Sequence, residues 1–191
     1  MNKENPYKLF DIWYKIVINS NSTDANAMVL ATADASGKPS ARMVLLKSHD
    51  RNGFVFYTNA LSRKGSELQE NPYAALLFYW ERSYQQIRIE GSIERLSAEE
   101  SDAYFYSRPL ENQISAYLSR QSQVLTDPDA FNRDFFQMLV TGTKPTRPPD
   151  WGGYRLRPTR FEFWSGKQNR MHTRTQYDWI GDEWLESTLY P

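Results

Sequence analysis

The sequence has 191 residues, and its 23 lysines and arginines balance 23 aspartates and glutamates, so the formal net charge is zero. This length suits one domain with a full core, expected over residues 1–191, and the balanced charge gives no indication of a nucleic-acid or anionic-membrane partner. The absence of cysteine excludes disulfides, thiolate catalysis and cysteine-ligated metals. Because there is neither a signal-peptide pattern nor an apolar run of bilayer length, a cytoplasmic protein is expected.

The chain up to residue 70 predicts a helix, several short strands and a second helix. Apolar residues recur at helical spacing after Pro6, a residue tolerated in a first helical turn. Turns containing Gly37 and Gly53 then separate apolar segments of strand length, as in up-and-down strands. His49 lies in the second turn and is expected to be a solvated structural residue. The predicted elements are a helix at 6–18, strands at 27–32, 41–47 and 54–58, and a helix at 63–70 capped by Ser62.

The rest of the chain continues the sheet and groups its helices together. Ile87, Ile89 and Ile93 alternate on one strand face, with a break at Gly91. Short strands followed by clustered helices indicate an α+β antiparallel barrel or sandwich, not an alternating βαβ fold. The predicted elements are strands at 74–80 and 86–96, helices at 98–107, 110–119 and about 128–140, a loop at 141–150, a strand at 154–164, and a hairpin of 177–180 and 184–189.

Basic residues around the second strand form the most informative pattern. Arg42 and Lys47 stand at the two ends of an apolar strand, and Arg63 and Lys64 stand where a helix begins, a position that suits phosphate. Each pair taken alone is also compatible with ordinary solvated charges. Together they predict a site for a flat anionic ligand, namely a phosphate-bearing cofactor.

Other candidate groups lie further along the chain. Alternation in an extended segment would place Arg170, His172 and Arg174 on one face, where an anion or an electron-rich ring would offset their repulsion. A solvated or structural cluster fits that pattern equally well. Tyr104 and Arg108, four residues apart, could clamp a phosphate or pair with nearby acids. With two histidines and no H-E-x-x-H spacing, no metal site is expected.

Eight segments, in order, closely resemble the pyridoxine (pyridoxamine) 5′-phosphate oxidase family, and the similarity extends over nearly the whole chain. The resemblance implies an antiparallel split β-barrel with peripheral helices, of the FMN-binding split-barrel type, and a homodimer that binds FMN in clefts at the subunit interface. The segments are Arg42-Met-Val-Leu-Leu-Lys47, Phe56-Tyr-Thr-Asn59, Ser62-Arg-Lys64, Tyr104-Phe-Tyr-Ser-Arg-Pro109, Arg120-Gln-Ser122, Trp151-Gly-Gly-Tyr154, Phe161-Glu-Phe-Trp164 and Arg170-Met-His172.

The resemblance also implies roles for individual residues. Arg170 and His172 would be catalytic and would face the pyridine ring of the substrate. Asn112 and Thr173 depart from the family, which usually has serine and aspartate there. The residues implied to bind FMN, some from the partner subunit, are Arg42, Met43, Val44, Leu45, Leu46, Lys47, Tyr57, Thr58, Arg63, Lys64, Gln86, Gln121, Ser122, Trp164 and Arg174. Those implied to bind substrate are Lys47, Tyr104, Arg108, Asn112, Arg170 and His172.

The implied activity is FMN-dependent oxidation of pyridoxamine 5′-phosphate and pyridoxine 5′-phosphate to pyridoxal 5′-phosphate, with hydride transfer to flavin N5 and reoxidation by dioxygen to hydrogen peroxide. One alternative is a related FMN oxidase acting on another ring substrate, of the phenazine type. Lys47, Tyr104 and Arg108 favour the phosphorylated vitamin over that substrate. The other alternative is a non-catalytic flavin- or pyridoxal-phosphate-binding protein, against which Arg170 and His172 weigh.

Overall fold

The computed structural model of the protein describes residues 5–20 and 24–191. These residues form five α-helices and nine strands that join into one sheet. The helices are α1 (Pro6–Asn19), α2 (Arg63–Glu70), α3 (Ala98–Ser107), α4 (Leu110–Leu118) and α5 (Pro128–Val140). The strands are β1 (Ala27–Ala33), β2 (Pro39–Leu45), β3 (Ser48–Asp50), β4 (Gly53–Asn59), β5 (Tyr73–Trp80), β6 (Gln85–Arg95), β7 (Trp151–Ser165), β8 (Thr173–Ile180) and β9 (Glu183–Leu189).

The sheet is antiparallel throughout and divides at its longest strand. Its main order is β2-β1-β5-β6-β7-β4-β3, and β8 and β9 extend from β7 as a hairpin. Residues 151–156 of β7 pair with β4, whereas residues 160–165 pair with β8. The chain therefore folds as the predicted α+β antiparallel sheet, with a branch at β7 that splits the barrel.

Local sequence signals explain several features of these elements. Ser62 accepts a hydrogen bond from the backbone of Gly65 at the start of α2, and Ser97 with Glu100 forms a capping box on α3. The predicted break at Gly91 is confirmed, because the β6–β7 register shifts there and a Cβ on Gly91 would lie 2.0 Å from the carbonyl oxygen of Arg157. None of the helices in the described ranges is long and apolar enough to cross a membrane.

Aromatic rings join α1 to the sheet. The buried ring of Phe10 lies 4.8 Å from Phe54 and 5.3 Å from Phe78, measured between centroids, in edge-on contacts. His49 belongs to this cluster, since its ring lies 4.8 Å from Phe10 and its Nε2 atom lies 2.8 Å from Asp11 Oδ1. The prediction of a solvated His49 in a turn is therefore wrong. His49 lies in β3 and packs under α1.

Other parts of the chain also differ from the sequence prediction. β2 ends at Leu45, so Lys47 lies beyond the strand, and β7 begins at Trp151 rather than at residue 154. Arg170 lies in a short 3₁₀ turn at a positive φ of 59°. Since only Arg174 of the C-terminal basic cluster is in a strand, the prediction that Arg170, His172 and Arg174 share one extended face is wrong.

Candidate active site

A cleft of about 850 Å³ opens between β2, β4, the start of α2 and helices α3 and α4. It receives side chains from segments far apart in sequence. Met43 and Leu45 expose 60% and 45% of their surface at this edge of the sheet, which is an apolar wall suited to a flat ring. The predicted site residues that line it are Arg42, Met43, Val44, Leu45, Lys47, Tyr57, Thr58, Arg63, Lys64, Tyr104, Arg108, Asn112, Gln121 and Ser122.

Lys64 provides a buried positive charge at one end of the cleft. Its ammonium group donates to Gln121 Oε1 at 2.8 Å and to the hydroxyls of Thr58 and Ser62 at 3.2 Å. These three acceptors are neutral. Burial, with a smaller effect from Arg42, lowers the pKa of Lys64 to about 8, and the nearby Glu67 carboxylate offsets this only in part. A buried ammonium next to a guanidinium is costly unless an anion compensates it. This end of the cleft therefore fits a phosphate.

Glu67, which no sequence motif marked, joins the two arginines at the same end of the cleft. Its carboxylate lies 3.1 Å from Arg42 Nη2 and 2.8 Å from Arg63 Nε. Burial alone would raise the pKa of Glu67, but hydrogen bonds from Ser40, Thr32, Arg63 and Arg42 outweigh it and lower the pKa to about 2. Its only local signal was the four-residue spacing from Arg63, which is also typical of a surface helix pair.

Stacked rings and a second cation form the other part of the cleft. The ring of Tyr57 lies 3.9 Å from that of Tyr104 and 5.4 Å from that of Trp151. The guanidinium of Arg108 lies 4.8 Å from the centroid of Trp151. Burial lowers the pKa of Arg108, and its buried Nη1 atom has no hydrogen-bond partner within the described residues. An unpaired buried donor of this kind fits a second anionic group.

Trp151 was part of a recognised segment but was not assigned to the site. Its ring supports both Arg108 and Tyr57 from the first position of β7. Gly153 lets the rings pack, because a Cβ there would lie 2.9 Å from the ring of Tyr57.

Five of the remaining predicted residues lie outside this cleft, in and beside β6, β7 and β8. Gln86, Trp164 and Arg174 are direct register partners on the three adjacent strands and form a row. The ring of His172 lies 4.7 Å from that of Trp164, and Arg170 precedes it in the 3₁₀ turn. We refer to Gln86, Trp164, Arg170, His172 and Arg174 as the C-terminal group.

Glu162, buried on β7, holds Arg174 of the C-terminal group in place. It accepts from Arg174 Nε at 2.8 Å and from Arg88 Nη1 at 3.0 Å. The side chain of Leu46 belongs to neither set, because it is buried in the hydrophobic core. The described residues contain no group of three or more histidines, aspartates or glutamates that could hold a metal ion.

Two family models match the chain. The model described as pyridoxamine 5′-phosphate oxidase matches residues 18–142, and the model of the pyridoxine 5′-phosphate oxidase C-terminal dimerisation region matches residues 151–191. The chain belongs to the pyridoxamine 5′-phosphate oxidase family. The dimerisation region contains four residues of the C-terminal group, which supports a homodimer for this family member.

Individual relatives agree with this assignment. The pyridoxine/pyridoxamine 5′-phosphate oxidase of Bordetella petrii is 51% identical over 90% of this chain and 82% of its own length. That of Paraburkholderia xenovorans is 48% identical over 98% of this chain and 89% of its own length.

Solved structures show the same fold. PhzG from Burkholderia lata, in complex with tetrahydrophenazine-1-carboxylic acid, aligns with a TM-score of 0.95 and 33% identity over all of this chain and 94% of its own. A pyridoxamine 5′-phosphate oxidase-related, FMN binding protein from Nostoc punctiforme aligns with a TM-score of 0.79 and 17% identity over 99% of this chain and all of its own. The fold is the predicted FMN-binding split barrel.

Proposed function

We propose that the protein binds FMN and oxidises pyridoxamine 5′-phosphate and pyridoxine 5′-phosphate to pyridoxal 5′-phosphate, with dioxygen as the electron acceptor. One observation carries this proposal: a single cleft contains two separate cationic positions, Lys64 at one end and Arg108 on the stacked rings. Two such positions match one phosphate on the cofactor and one on the substrate. When bound, FMN takes up the two electrons of the oxidation and passes them to dioxygen.

The cofactor half of the cleft is formed by β2, β4 and α2. Arg63 and Lys64 at the start of α2 bind the phosphate, where the helix dipole adds to their charge. Thr58 and Gln121 hold the Lys64 ammonium group in position through the 3.2 and 2.8 Å hydrogen bonds. The exposed apolar side chains of Met43 and Leu45 provide contact surface for the flavin ring.

The substrate half is formed by the stacked rings and the residues next to them. The unpaired Nη1 group of Arg108 binds the substrate phosphate together with Lys47, Tyr104 and Asn112, which line the same cleft. Stacking on Tyr57 fixes the ring of Tyr104, so that the Tyr104 hydroxyl is oriented before the substrate arrives. Asn112 replaces the serine usual in the family, and its amide can still donate a hydrogen bond.

The C-terminal group completes the site from the second subunit of a homodimer. Trp164 and Arg174 contact FMN, and Arg170 and His172 face the substrate ring and orient it. This arrangement explains why these five residues lie outside the cleft of their own chain while belonging, with the exception of Gln86, to the matched dimerisation region.

Each subunit is proposed to be a single domain. A cytoplasmic location is proposed because a chain free of cysteine suits a reducing compartment.

Purified protein tests the proposal directly. We expect flavin absorbance after reconstitution with FMN, and peroxide release with pyridoxamine 5′-phosphate or pyridoxine 5′-phosphate but little with the unphosphorylated forms. A protein that cannot take up FMN, or one that holds FMN and oxidises neither phosphorylated substrate, contradicts the proposal.

A second candidate is an oxidase of the phenazine type, favoured by the 33% identity and TM-score of 0.95 to PhzG. Lys47, Tyr104 and Arg108 all line the cleft and together provide the charged and hydroxyl donors that suit a phosphate dianion, which favours the phosphorylated vitamin. Faster flavin reduction by tetrahydrophenazine-1-carboxylic acid than by pyridoxine 5′-phosphate would establish this candidate instead.

A further inference from the structure

We propose that Glu67 is a positioning residue of the phosphate end of the cleft, where it aims the terminal nitrogens of Arg63 at the ligand phosphate while it fixes Arg42 to the sheet. The inference deepens the proposed function and rests on it only in that the ligand carries a phosphate.

The burial and bonding of Glu67 support this role. Its side chain is 6% exposed, although α2 is a short helix on the surface. Oε1 accepts from Arg63, and Oε2 accepts from Thr32, Ser40 and Arg42. The carboxylate thus joins β1, β2 and α2. A buried acid that satisfies donors from three elements fixes their relative positions.

The two arginines that bond to Glu67 differ in which of their guanidinium nitrogens are engaged. Both terminal nitrogens of Arg42 are already engaged, Nη1 with Leu30 O and Thr32, and Nη2 with Ser40 and Glu67. Arg63 uses its Nε atom on Glu67, and its side chain remains 58% exposed along the cleft. The planar guanidinium is therefore held by one edge, and its terminal pair is left for a bidentate contact with phosphate.

A pure charge effect predicts the opposite result from a positioning effect. Glu67 is a negative charge beside three cations, so its neutralisation should strengthen the binding of an anion if only the sum of charges matters. If Glu67 acts by orienting Arg63, the same neutralisation should weaken binding. The direction of the change therefore separates the two explanations.

The test compares affinities for FMN and riboflavin, which differ in the phosphate, by quenching of flavin fluorescence with the homodimeric apoprotein. Glu67→Gln should weaken FMN binding roughly tenfold or more, the usual effect of losing a hydrogen bond to a charged group, and should leave riboflavin binding nearly unchanged. Glu67→Asp keeps the charge but is too short to reach both arginines, so it should also weaken FMN binding. Glu70→Gln is the matched control, because it removes the same charge from an exposed position on the same helix.

A double-mutant cycle identifies the residue through which Glu67 acts. In an Arg63→Gln background, Glu67→Gln should have little further effect on FMN affinity. Inorganic phosphate serves as a second probe. The phosphate concentration that gives half of the maximal stabilisation of the apoprotein should be higher for Glu67→Gln than for the wild type, and it should be unchanged for Glu70→Gln.

Unchanged or tighter FMN binding by Glu67→Gln would overturn the inference. An equal loss of FMN and riboflavin affinity would also overturn it, because that result indicates a general structural role. These affinities are measured without substrate. A protein that binds FMN but oxidises neither vitamer therefore contradicts the proposed function alone. An active oxidase whose FMN affinity is unchanged by Glu67→Gln contradicts the inference alone.

Discussion

Trp164 and Arg174 are direct register partners on β7 and β8, and both lie outside the cleft that contains Lys64 and Arg108. If these residues belong to one site, as we propose, a second chain has to bring them into contact.

Mixed dimers should recover activity from two impaired variants. Arg108→Gln damages the cleft and His172→Ala damages the C-terminal group, so at a substrate concentration below the wild-type KM each homodimer should lose most of its oxidase activity. In a two-fold dimer that shares its sites, half of the dimers formed by random mixing are mixed, and one of the two sites in each is intact. Co-refolding equal amounts should therefore restore about a quarter of wild-type peroxide production. Absence of recovery would show that both groups serve the same subunit.

Cofactor affinity should fall as the pH rises through about 8. The pKa of Lys64 is lowered to about 8 in the protein without ligand, so the ammonium is present below that pH and is lost above it. Bound phosphate favours the protonated form, and binding therefore takes up a proton above pH 8. We expect the dissociation constant of FMN, measured by fluorescence quenching, to increase about fivefold from pH 8 to pH 9.

Lys64→Met provides the control for that titration. The variant should bind FMN weakly at pH 7, and its affinity should change little between pH 7 and pH 9. A wild-type affinity that is constant across this range would show that Lys64 does not titrate against the ligand.

Arg108→Gln should act on the substrate and not on the cofactor. Loss of the guanidinium over Trp151 removes a charged donor, and we expect KM for pyridoxine 5′-phosphate to increase by roughly one to two orders of magnitude. FMN affinity should stay within about twofold of wild type. Arg95→Gln is the control, since Arg95 lies 5.8 Å from the Tyr154 ring and does not line the cleft. Equal effects of the two variants on KM would contradict a specific role for Arg108.

His49→Ala should lower stability without a specific effect on the site. The change removes the 2.8 Å contact with Asp11 and ring packing on Phe10, and we expect the free energy of unfolding to fall by about 1–3 kcal/mol. The measurement is the urea midpoint, with an unchanged slope. Arg51→Ala, at an exposed neighbouring position, should have a much smaller effect. Similar midpoints for the two variants would contradict a packing role for His49.

The sequence predicted the fold well wherever the signal was local. The caps at Ser62 and Ser97 mark the starts of α2 and α3, and the break at Gly91 coincides with the register shift. The start of β7 was missed because Gly152 and Gly153 have no side chains to alternate. The need for small residues there arises from Ser101 and Tyr57, which are distant in sequence.

The site was predicted less completely than the fold. Short segments marked most of the cations, but the resemblance could not show how they are arranged within one chain. Glu67 was missed because its partners Thr32 and Ser40 are reached only when the sheet forms. The predicted extended face of Arg170 and His172 was wrong because Asn169 and Arg170 adopt positive φ in a turn that alternation cannot reveal.

The division of the proposed binding residues between the cleft and the row of Gln86, Trp164 and Arg174 has a consequence for dilute solutions. If two chains hold each cofactor, separation of the chains leaves every site without the residues that the partner chain contributes. Mass action then links flavin retention to protein concentration, and excess FMN drives the chains to associate. The fraction of protein that retains FMN should therefore fall more steeply on dilution than it would if one chain formed the whole site.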